Sequence, residues 1–360
     1  MGICSSPKSS IRSACSATTC TFPARHPCSW LISARYAENA IAQFGLKPDS
    51  FVLEVGSNDG TLLKEFQARG LSKVLGIDPA HEIAAAARAA GVPTLEAFFT
   101  PELAQQVRAE RGAADLICAN NVFAHSGDLA AFARSVDTLL ADEGVFVFEV
   151  SYLVDVVEKL LFDTIYHEHS SYHAVAPLAR FFESMGLRLF DGERIDTHGG
   201  SLRGYVCRAG ARHPNTERLA GLIRHEVELE LFSPECYARF KARIQERGSH
   251  LRERLAALRA SGKQVAGFGA PAKLTTLMHE FGLDSSVIDF IVDDSPLKQN
   301  RYTPGTRIPV VTSATLYERR PDYCVVFAWN FADSIVPKHA SYTGGGGRFI
   351  VPLPELREIP

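Results

Sequence analysis

The chain has 360 residues, of which 46% are hydrophobic and 22% are charged, and its formal net charge is −3. This length allows two domains with ordinary hydrophobic cores, and the composition is typical of a soluble globular protein. The charge provides no basic surface for nucleic acid, and no apolar run is long enough to span a bilayer. We therefore expect no nucleic acid partner, no membrane association and a cytoplasmic location.

The first 29 residues differ in composition from the remainder of the chain. Residues 1–37 contain no acidic side chain, and half of the 8 cysteines lie before residue 29. This composition is compatible with a transit peptide, and Met-Gly-Ile-Cys-Ser-Ser fits the minimal myristoylation pattern, although both signals are short. Zinc modules normally contain Cys-x-x-Cys pairs, and none occurs here. We predict a poorly ordered segment over residues 1–29 without a zinc site, and an upstream frame error is one explanation of its composition.

A strand, a glycine turn and a helix follow one another after a first helical pattern over residues 30–45. Phe51-Val-Leu-Glu-Val-Gly-Ser-Asn-Asp-Gly60 predicts a buried strand that runs into a turn, and the following apolar run predicts a helix. Gly56 and Gly60 would let the backbone pass close to a ligand where a Cβ atom would collide. A second strand ends in Asp78, which is placed to accept hydrogen bonds from ribose hydroxyls.

The turn has the pattern Glu-x-Gly-x-x-x-Gly and lacks the Gly-x-Gly-x-x-Gly of a dinucleotide site. This difference favours S-adenosylmethionine (SAM), which has no phosphate to bind and whose positive charges Glu54 can compensate. The alternatives are an NAD site and an ordinary strand–turn–helix unit. The predicted cofactor-binding residues are Glu54, Gly56, Asn58, Gly60, Asp78 and Asn120.

A strand that ends in a polar loop is predicted over residues 114–125, followed by a helix over residues 129–140 and another strand over residues 144–150. Ligands of open α/β sheets bind beyond the carboxyl ends of the strands. We therefore expect Asn120, Asn121 and His125 on the ligand edge of the sheet. A helix near residues 177–186 and two strands, over residues 187–191 and 202–207, complete this domain.

The chain then carries an unusual density of groups that can move protons. Within residues 162–173 lie five such side chains: Tyr166, His167, Glu168, His169 and His173. Histidine titrates near neutral pH, and a neighbouring carboxylate can orient it. A metal site on His169, His173 and Glu168 is one interpretation, although the order differs from the His-Glu-x-x-His of zinc hydrolases. A solvated loop with core histidines is a second interpretation, and a general-base cluster is the third.

A second α/β unit is predicted after a linker over residues 209–221 and a charged helical region over residues 222–258 that breaks near Ser233-Pro234. Its first strand runs into Gly267-Phe-Gly-Ala-Pro-Ala-Lys273 and a helix. A helix N-terminus with an ammonium group suits phosphate oxygens. We predict that Lys273, supported by Lys298, binds the diphosphate of a nucleotide-linked substrate, with a docking domain that binds nothing as the alternative.

Several long motifs, taken in order, resemble those of the SAM-dependent sugar C-methyltransferases. They are Leu-Glu-Val-Gly-Ser-Asn-Asp-Gly60, Asn-Asn-Val-Phe-Ala-His125, Phe-Asp-Thr-Ile-Tyr-His-Glu-His169, His-Gly-Gly-Ser-Leu-Arg203, Gly-Phe-Gly-Ala-Pro-Ala-Lys273, Asp-Asp-Ser-Pro-Leu-Lys298, Pro-Gly-Thr-Arg-Ile-Pro309 and Ala-Trp-Asn330. The resemblance covers about residue 30 to the C-terminus. Members of this family methylate C3 of nucleotide-linked 4-keto deoxysugars and begin with a zinc domain built on cysteine pairs, from which this chain departs.

The resemblance implies two Rossmann-like, doubly wound α/β domains, a class I SAM-dependent methyltransferase fold over residues 30–208 and a sugar-nucleotide domain over residues 222–360. It also implies that Tyr166, Glu168 and His169 face the sugar with His125 nearby. We predict His169 as the base, Glu168 as its orienting group, Tyr166 near the keto oxygen and His125 as the rival base.

The predicted substrate-binding residues are Asn121, Arg203, Lys273 and Lys298, and no metal site is expected. We expect a nucleotide-diphosphate sugar as the partner and a monomer or small homo-oligomer. The functional alternatives are an O- or N-methyltransferase of small molecules and an inactive paralogue that binds SAM or a sugar nucleotide.

Overall fold

A computed structural model describes residues 27–167, 169 and 171–360. Residues 1–26 of the segment predicted to be poorly ordered lie outside these ranges. Glu168, one of the predicted catalytic residues, also lies outside them. Within the described ranges, no helix combines the length and the apolar content that a membrane span requires.

The first domain is built on a seven-stranded sheet. Its strands are β1 (Phe51–Val55), β2 (Lys73–Ile77), β3 (Thr94–Leu95), β4 (Ala114–Asn120), β5 (Leu140–Ser151), β6 (Leu187–Ile195) and β7 (Ser201–Arg208). Their spatial order is β3-β2-β1-β4-β5-β7-β6, and only β7 runs antiparallel to its two neighbours. Because β1 pairs with both β2 and β4, the winding direction reverses between β1 and β4, where α/β sheets bind their ligands.

Eight helices accompany this sheet among the described residues. They are α1 (Pro27–Phe44), α2 (Thr61–Ala68), α3 (His81–Ala89), α4 (Pro101–Arg111), α5 (Leu129–Leu139), α6 (Leu153–Glu158), α7 (Val175–Ser184) and α8 (Glu217–Glu228). The sequence analysis predicted no element where α3, β3 and α4 lie. In α3 only Ala84 and Ala87 are buried, so this helix lacks the large apolar side chains that make periodicity visible.

The second domain contains another seven-stranded sheet. Its strands are β8 (Val265–Phe268), β9 (Ile291–Val292), β10 (Arg301–Tyr302), β11 (Pro309–Val311), β12 (Tyr323–Val326), β13 (Arg348–Val351) and β14 (Arg357–Ile359), in the order β10-β11-β9-β8-β12-β13-β14. The five central strands are parallel, and the winding direction reverses between β8 and β12. The prediction of two doubly wound α/β sheets is confirmed.

Five helices belong to the second part of the chain. They are α9 (Pro234–Ala260), α10 (Leu274–Glu280), α11 (Ala314–Arg319), α12 (Ala332–Lys338) and α13 (Ala340–Gly344). The predicted break near Ser233-Pro234 is confirmed, because the Ser233 hydroxyl caps α9 by accepting from the Cys236 amide. The predicted linker is shorter than expected: α8 begins at Glu217, and Leu219 is buried in the core of the first domain.

The segment that follows α6 connects the two cores. Leu160, Leu161 and Phe162 belong to the first domain in sequence, yet their side chains pack in the core of the second domain. The Phe162 ring lies 5.2 Å from that of Phe281, between ring centroids. The stretch that contains the predicted catalytic residues therefore begins inside the second domain.

The other end of this stretch is held by a buried carboxylate. Glu226 on α8 is fully buried and accepts hydrogen bonds from the amides of Val175 and Ala176, at 2.5 and 3.0 Å, and from the Tyr152 hydroxyl at 2.9 Å. These amides belong to the first turn of α7, whose N–H groups have no partner within the helix. The stretch over residues 162–174, which we call the catalytic loop, is thus anchored at both ends.

Candidate functional site

The carboxyl end of β1 carries a buried acid. Glu54 is 6% exposed, and its Oε2 atom has no hydrogen-bond partner in the part of the chain that the structure describes. Burial, and then the charges of Asp59 and Asp78, raise the pKa of the Glu54 carboxyl well above its usual range. A cation bound beside Glu54 would stabilise the charged form of its carboxyl. The prediction that Glu54 compensates the positive charge of SAM requires that form.

Asp78 follows β2 and braces the loop after β1. Its carboxylate accepts hydrogen bonds from the Asn58 amide at 3.0 Å and from the Ala80 amide at 2.9 Å. Asn58 has a positive φ of 51°, which asparagine tolerates better than most residues. The acid and the loop that were predicted from their spacing are therefore in direct contact.

The protein itself leaves no room for a side chain at the two glycines of this loop. A Cβ atom on Gly56 would lie 2.3 Å from the Val122 side chain, and one on Gly60 would lie 2.8 Å from Val92. The collision is thus with neighbouring segments of the protein. Gly56 places the first loop against the loop that follows β4, across the switch point, whereas Gly60 packs against the segment that precedes β3.

Asn120 and Asn121 end β4 at the same edge. The Oδ1 atom of Asn120 is buried and finds no hydrogen-bond partner among the described residues. Asn121 has a φ of 56°, and its amide donates to the Glu149 carbonyl at 2.9 Å. The edge predicted to bind a ligand thus holds three buried side-chain oxygens, of Glu54, Ser57 and Asn120, that have no hydrogen-bond partner among the described residues.

Three of the four predicted catalytic residues come together above this edge. The rings of His125 and His169 stack with centroids 5.3 Å apart, and the Tyr166 ring lies 4.5 Å from His169. His125 arrives from the turn over Phe123–His125, whereas His169 and Tyr166 belong to the catalytic loop. The fourth residue, Glu168, lies outside the described residues, so its predicted orienting role stays a prediction.

The hydrogen bond of His169 determines which nitrogen carries the proton. Its Nδ1 atom lies 2.8 Å from the carbonyl oxygen of Thr164. Because a carbonyl oxygen only accepts, Nδ1 must be the protonated nitrogen, and the neutral ring then carries its lone pair on Nε2. The same carbonyl accepts the Tyr172 hydroxyl at 2.6 Å and the Tyr166 amide at 3.1 Å. Thr164 therefore sets the tautomer of the predicted base.

His173 has a different environment. It is 6% exposed, its ring lies 5.5 Å from that of Phe123, and its Nε2 atom lies 3.0 Å from the Ser171 hydroxyl. Burial lowers its pKa to about 4, so the ring is neutral at physiological pH. Ser171 also donates to the Ala124 carbonyl at 3.3 Å, which joins the catalytic loop to the loop after β4.

The alternative metal interpretation can be compared with the described side chains. In those residues no group of three or more His, Cys, Asp or Glu side chains is close enough to hold a metal ion. The third proposed ligand, Glu168, is not among them.

Arg203 lies on β7 at the same edge but is surrounded by carboxylates. Its guanidinium donates to Glu149 at 2.6 and 2.8 Å and to Glu193 at 3.1 Å, and it covers the Tyr36 ring with the guanidinium carbon 4.6 Å from the centroid. Burial raises the pKa of Glu149, and the Arg203 charge opposes that shift. Three of the five N–H groups of Arg203 are thus used within the protein.

Lys273 is also engaged by the protein. Its Nζ atom lies 3.2 Å from Oδ2 of Asp163 in the catalytic loop and 4.7 Å from the centroid of the Trp329 ring. Burial lowers the pKa of Lys273 and raises that of Asp163, and each charge opposes the shift of the other. Lys273 was predicted within the first turn of a helix, whereas α10 begins one residue later and has 7 residues.

Lys298 is more accessible than Lys273. Its side chain is 44% exposed, and its Nζ atom lies 3.5 Å from Asp293, the acid that follows β9. Asp293 itself accepts from the amides of Ala270 and Ser295, at 2.7 and 2.9 Å. Asp293 therefore braces the second glycine turn in the way that Asp78 braces the first.

The sequence analysis assigned no role to several residues that hold the catalytic loop. These are Asp163, Thr164, Ser171, Glu226, Thr276 and Trp329. Asp163 and Thr164 stand within the quoted Phe-Asp-Thr-Ile motif and Trp329 within Ala-Trp-Asn330. An acid inside an apolar run such as Leu-Leu-Phe-Asp163 is a usable signal, because a buried carboxylate requires partners.

Comparison with known proteins gives matches along nearly the whole chain. Residues 28–191 match the family model of a methyltransferase domain, and residues 196–354 match that of a C-methyltransferase C-terminal domain. C-methyltransferase NovU of Streptomyces niveus is 37% identical over 319 residues, which are 89% of this chain and 76% of that protein.

Solved structures with similar folds cover about half of the chain. The magnesium protoporphyrin IX methyltransferase ChlM from Synechocystis with bound SAM is 13% identical and has a TM-score of 0.37 over 49% of this chain and 81% of its own. The plantazolicin methyltransferase BpumL in complex with S-adenosylhomocysteine is 12% identical, with a TM-score of 0.39 over 50% of this chain and 84% of its own.

Proposed function

This chain belongs to the SAM-dependent C-methyltransferases, and from that premise we propose that it methylates C3 of a nucleotide-linked 4-keto-6-deoxysugar. A keto group acidifies the adjacent C–H bond, so a base can remove that proton and leave an enolate. The proposal requires a base with a free lone pair, a group for the keto oxygen and a cofactor site at the same edge.

The cofactor site fits SAM on the chemistry of its donors and acceptors. SAM carries positive charge and ribose hydroxyls, and the edge offers three buried side-chain oxygens, of Glu54, Ser57 and Asn120, without partners among the described residues. Asp78 stands at the tip of β2, where an acid accepts from ribose hydroxyls. The proposal assigns Gly56, Asn58 and Gly60 to the loop that surrounds the cofactor. When bound, SAM supplies the electrophilic methyl group.

The observation that carries the proposal is the hydrogen bond between His169 Nδ1 and the Thr164 carbonyl, from which the tautomer follows. With Nδ1 donating to Thr164, the lone pair of Nε2 is available to take the C3 proton, and the ring is held against rotation. Tyr166 beside it is assigned to the keto oxygen, where the negative charge of the enolate develops. His125 is the rival base because its ring stacks on that of His169. We assign Glu168 to the orientation of this cluster.

The substrate is assigned to both domains. Asn121 and Arg203 lie at the edge of the first sheet and are proposed to contact the sugar. Lys298, with its exposed ammonium, and Lys273, whose ammonium has further N–H groups besides the one facing Asp163, are proposed for the diphosphate. This assignment explains why a methyltransferase domain is followed by a second Rossmann-like domain.

The test separates proton removal from methyl transfer. In deuterated water without SAM, the protein should exchange the C3 hydrogen of a 4-keto-6-deoxysugar nucleotide, provided that the base exchanges its proton with solvent. His169→Asn should lower both exchange and methylation by ~10²–10⁴-fold, the usual contribution of a positioned base, while SAM binding stays unchanged.

His250→Asn is the matched control, since His250 is an exposed residue of α9 far from the cluster in sequence. If His169→Asn keeps both activities and His125→Asn loses them, the two histidines exchange roles. If neither substitution has an effect, the carbanion mechanism is wrong for this chain. Methylation of a hydroxyl or amine acceptor without carbon exchange would instead support an O- or N-methyltransferase.

A further inference from the structure

The catalytic loop is held by the second domain at two points in its first turns. The Trp329 indole N–H donates to Oδ2 of Asp163 at 2.7 Å, and the Thr276 hydroxyl donates to the Ile165 carbonyl at 3.2 Å. Asp163 is fully buried, and Lys273 faces the same carboxylate oxygen. A buried carboxylate is strongly disfavoured without such partners, so these contacts fix where this part of the loop lies.

Thr164 stands between these two points and carries the carbonyl that determines the His169 tautomer. Asp163 precedes it and is held through its carboxylate, and Ile165 follows it and is held through its carbonyl, so the residues on both sides are restrained by the second domain. The Thr164 carbonyl accepts from three donors, of His169, Tyr166 and Tyr172, and its direction must suit all three. A small rotation of this peptide would lengthen the bond to His169 Nδ1 and release the ring.

The position of these contacts in the second domain is informative. Lys273 and Trp329 follow β8 and β12, between which the winding of the second sheet reverses. In open α/β sheets this position holds a ligand. Here the carboxylate of Asp163, from the same chain, lies against it, so the switch point of the second domain contacts the loop that carries the predicted base.

We propose that Trp329 and Thr276 are positioning residues through which the second domain keeps His169 in the Nδ1–H tautomer, by fixing the carbonyl of Thr164. The inference rests on the proposed function in one respect, that His169 acts as the base. Its structural part, the control of a tautomer by residues of another domain, can be measured whether or not His169 is catalytic.

The direct experiment is nitrogen NMR of the full chain with ¹⁵N-labelled histidine, in which the His169 signals are assigned by their loss in His169→Asn. The unaltered protein should give a protonated, pyrrole-type Nδ1 and an unprotonated Nε2 for this residue. Trp329→Phe keeps an aromatic face for Lys273 but removes the N–H donor, and Thr276→Val keeps the shape but removes the hydroxyl. Each variant should convert part of the His169 population to the Nε2–H tautomer, and the double variant should convert more.

The rate of C3 hydrogen exchange should fall more in the double variant than in either single variant. The rate of C3 hydrogen exchange should fall about tenfold in each single variant, a fraction of the ~10²–10⁴-fold that a positioned base contributes. SAM affinity should stay unchanged, because neither residue lies at the edge of the first sheet. Tyr342→Phe is the matched control: it removes a buried hydroxyl donor of the second domain, bonded to the Pro321 carbonyl at 2.8 Å and away from the catalytic loop.

The outcomes separate the two proposals. An unchanged Nδ1–H signal in folded Trp329→Phe and Thr276→Val would overturn the positioning role. So would an equal tautomer shift in Tyr342→Phe, since the effect would then be a general loosening of the domain. A specific tautomer shift combined with normal activity of His169→Asn would support the positioning role and refute His169 as the base. If Trp329→Phe does not fold, Thr276→Val alone decides the question, because its hydroxyl is not buried in a core.

Discussion

The two sheets of this protein carry corresponding switch points that differ in what lies against them. In the first domain, the oxygens of Glu54 and Asn120 are buried at the switch point, and no described residue completes their hydrogen bonds. In the second domain, Lys273 and Trp329 stand at the equivalent edge and both contact Asp163 of the catalytic loop. A segment of the chain thus lies against the second switch point, although Oδ1 of Asp163 and Oδ1 of Asn330 there also lack hydrogen-bond partners among the described residues.

The two sheets share an architecture but differ in the contacts made at their switch points. Each glycine turn is braced by an acid at the tip of the neighbouring strand, Asp78 in the first domain and Asp293 in the second. What distinguishes the two edges is whether another segment of the chain contacts the polar groups beyond that brace. Buried polar groups without partners are rare in folded proteins and costly, so a ligand that supplied the missing hydrogen bonds at either edge would be favoured there.

The largest effect is expected from removing Asp163, the acid of the catalytic loop that contacts the second switch point. Asp163→Ala leaves the Lys273 ammonium, whose side chain is 11% exposed, without a counter-charge. Breaking one partner of a buried ion pair typically lowers the free energy of unfolding by ~3–5 kcal/mol. Urea unfolding of the full chain measures this loss.

Arg259→Ala provides the comparison within the same domain. It breaks an ion pair with Asp289 at 2.9 Å in which both side chains are 33% exposed, and such pairs contribute only ~0–1 kcal/mol. Equal losses of stability in the two variants would mean that the Asp163–Lys273 pair does not hold the domains together.

A smaller effect is expected at the first switch point, on affinity for SAM. Asp78→Ala should weaken SAM binding by ~1–3 kcal/mol, the cost of leaving ribose hydroxyls and the Asn58 amide without an acceptor. Isothermal titration calorimetry measures it directly. Asp293→Ala is the matched control, since Asp293 braces the corresponding turn of the second sheet and should leave SAM affinity unchanged. Equal SAM affinity in Asp78→Ala and the unaltered protein would refute the cofactor site.

The contrast also explains which parts could be predicted from the sequence. Glu54, Gly60 and Asp78 lie within one strand–turn–helix–strand unit, so their spacing alone indicates their neighbourhood. The partners Asp163 and Trp329 are 166 positions apart, and nothing in local periodicity joins them. Only the presence of both in unusual motifs marked them as important, and their contact appears only when the two domains pack.

Secondary structure shows the same dependence on tertiary context. Strands with large apolar residues, such as β1 and β4, were predicted within a few residues. The run over residues 287–293 has the apolar composition of a strand, yet only β9 (Ile291–Val292) forms there. The amides of Val287 and Ile288 instead bond to the Asp284 carbonyl in a turn. Local composition cannot distinguish a buried turn from a strand when both are apolar.

The pH dependence of SAM affinity should follow from the burial of Glu54. Because its pKa is raised, the carboxyl of the free protein holds a proton at pH values where an exposed glutamate is charged. A bound cation favours the carboxylate, so binding releases this proton, and affinity should rise with pH until the pKa of the free protein is passed. One linked proton gives at most about a tenfold change in affinity per pH unit. Isothermal titration calorimetry of SAM binding, in buffers of different ionisation enthalpy, measures how many protons are released.

Glu54→Gln should remove that pH dependence together with the released proton. Glu65→Gln is a suitable control, since Glu65 on α2 is also a mostly buried acid but is paired with Arg69 at 2.6 Å. A pH dependence that persists in Glu54→Gln would assign the linked proton to another group.

The smallest effect is expected at Lys298, on affinity for the sugar nucleotide. Its ammonium is half-exposed and only weakly engaged by Asp293 at 3.5 Å, so water screens its attraction to a diphosphate. Lys298→Ala should weaken sugar-nucleotide binding by about 1 kcal/mol at low salt, and less at high salt, while SAM affinity stays constant. Lys263→Ala removes an exposed lysine of the same domain that pairs with Asp322, and it controls for the change in net charge. If only the Lys298 variant responds, the second domain contacts the substrate as well as the catalytic loop. If both variants bind the nucleotide as the unaltered protein does, Lys298 has no part in binding it, and Lys273→Ala is the remaining test of a diphosphate site at the second switch point.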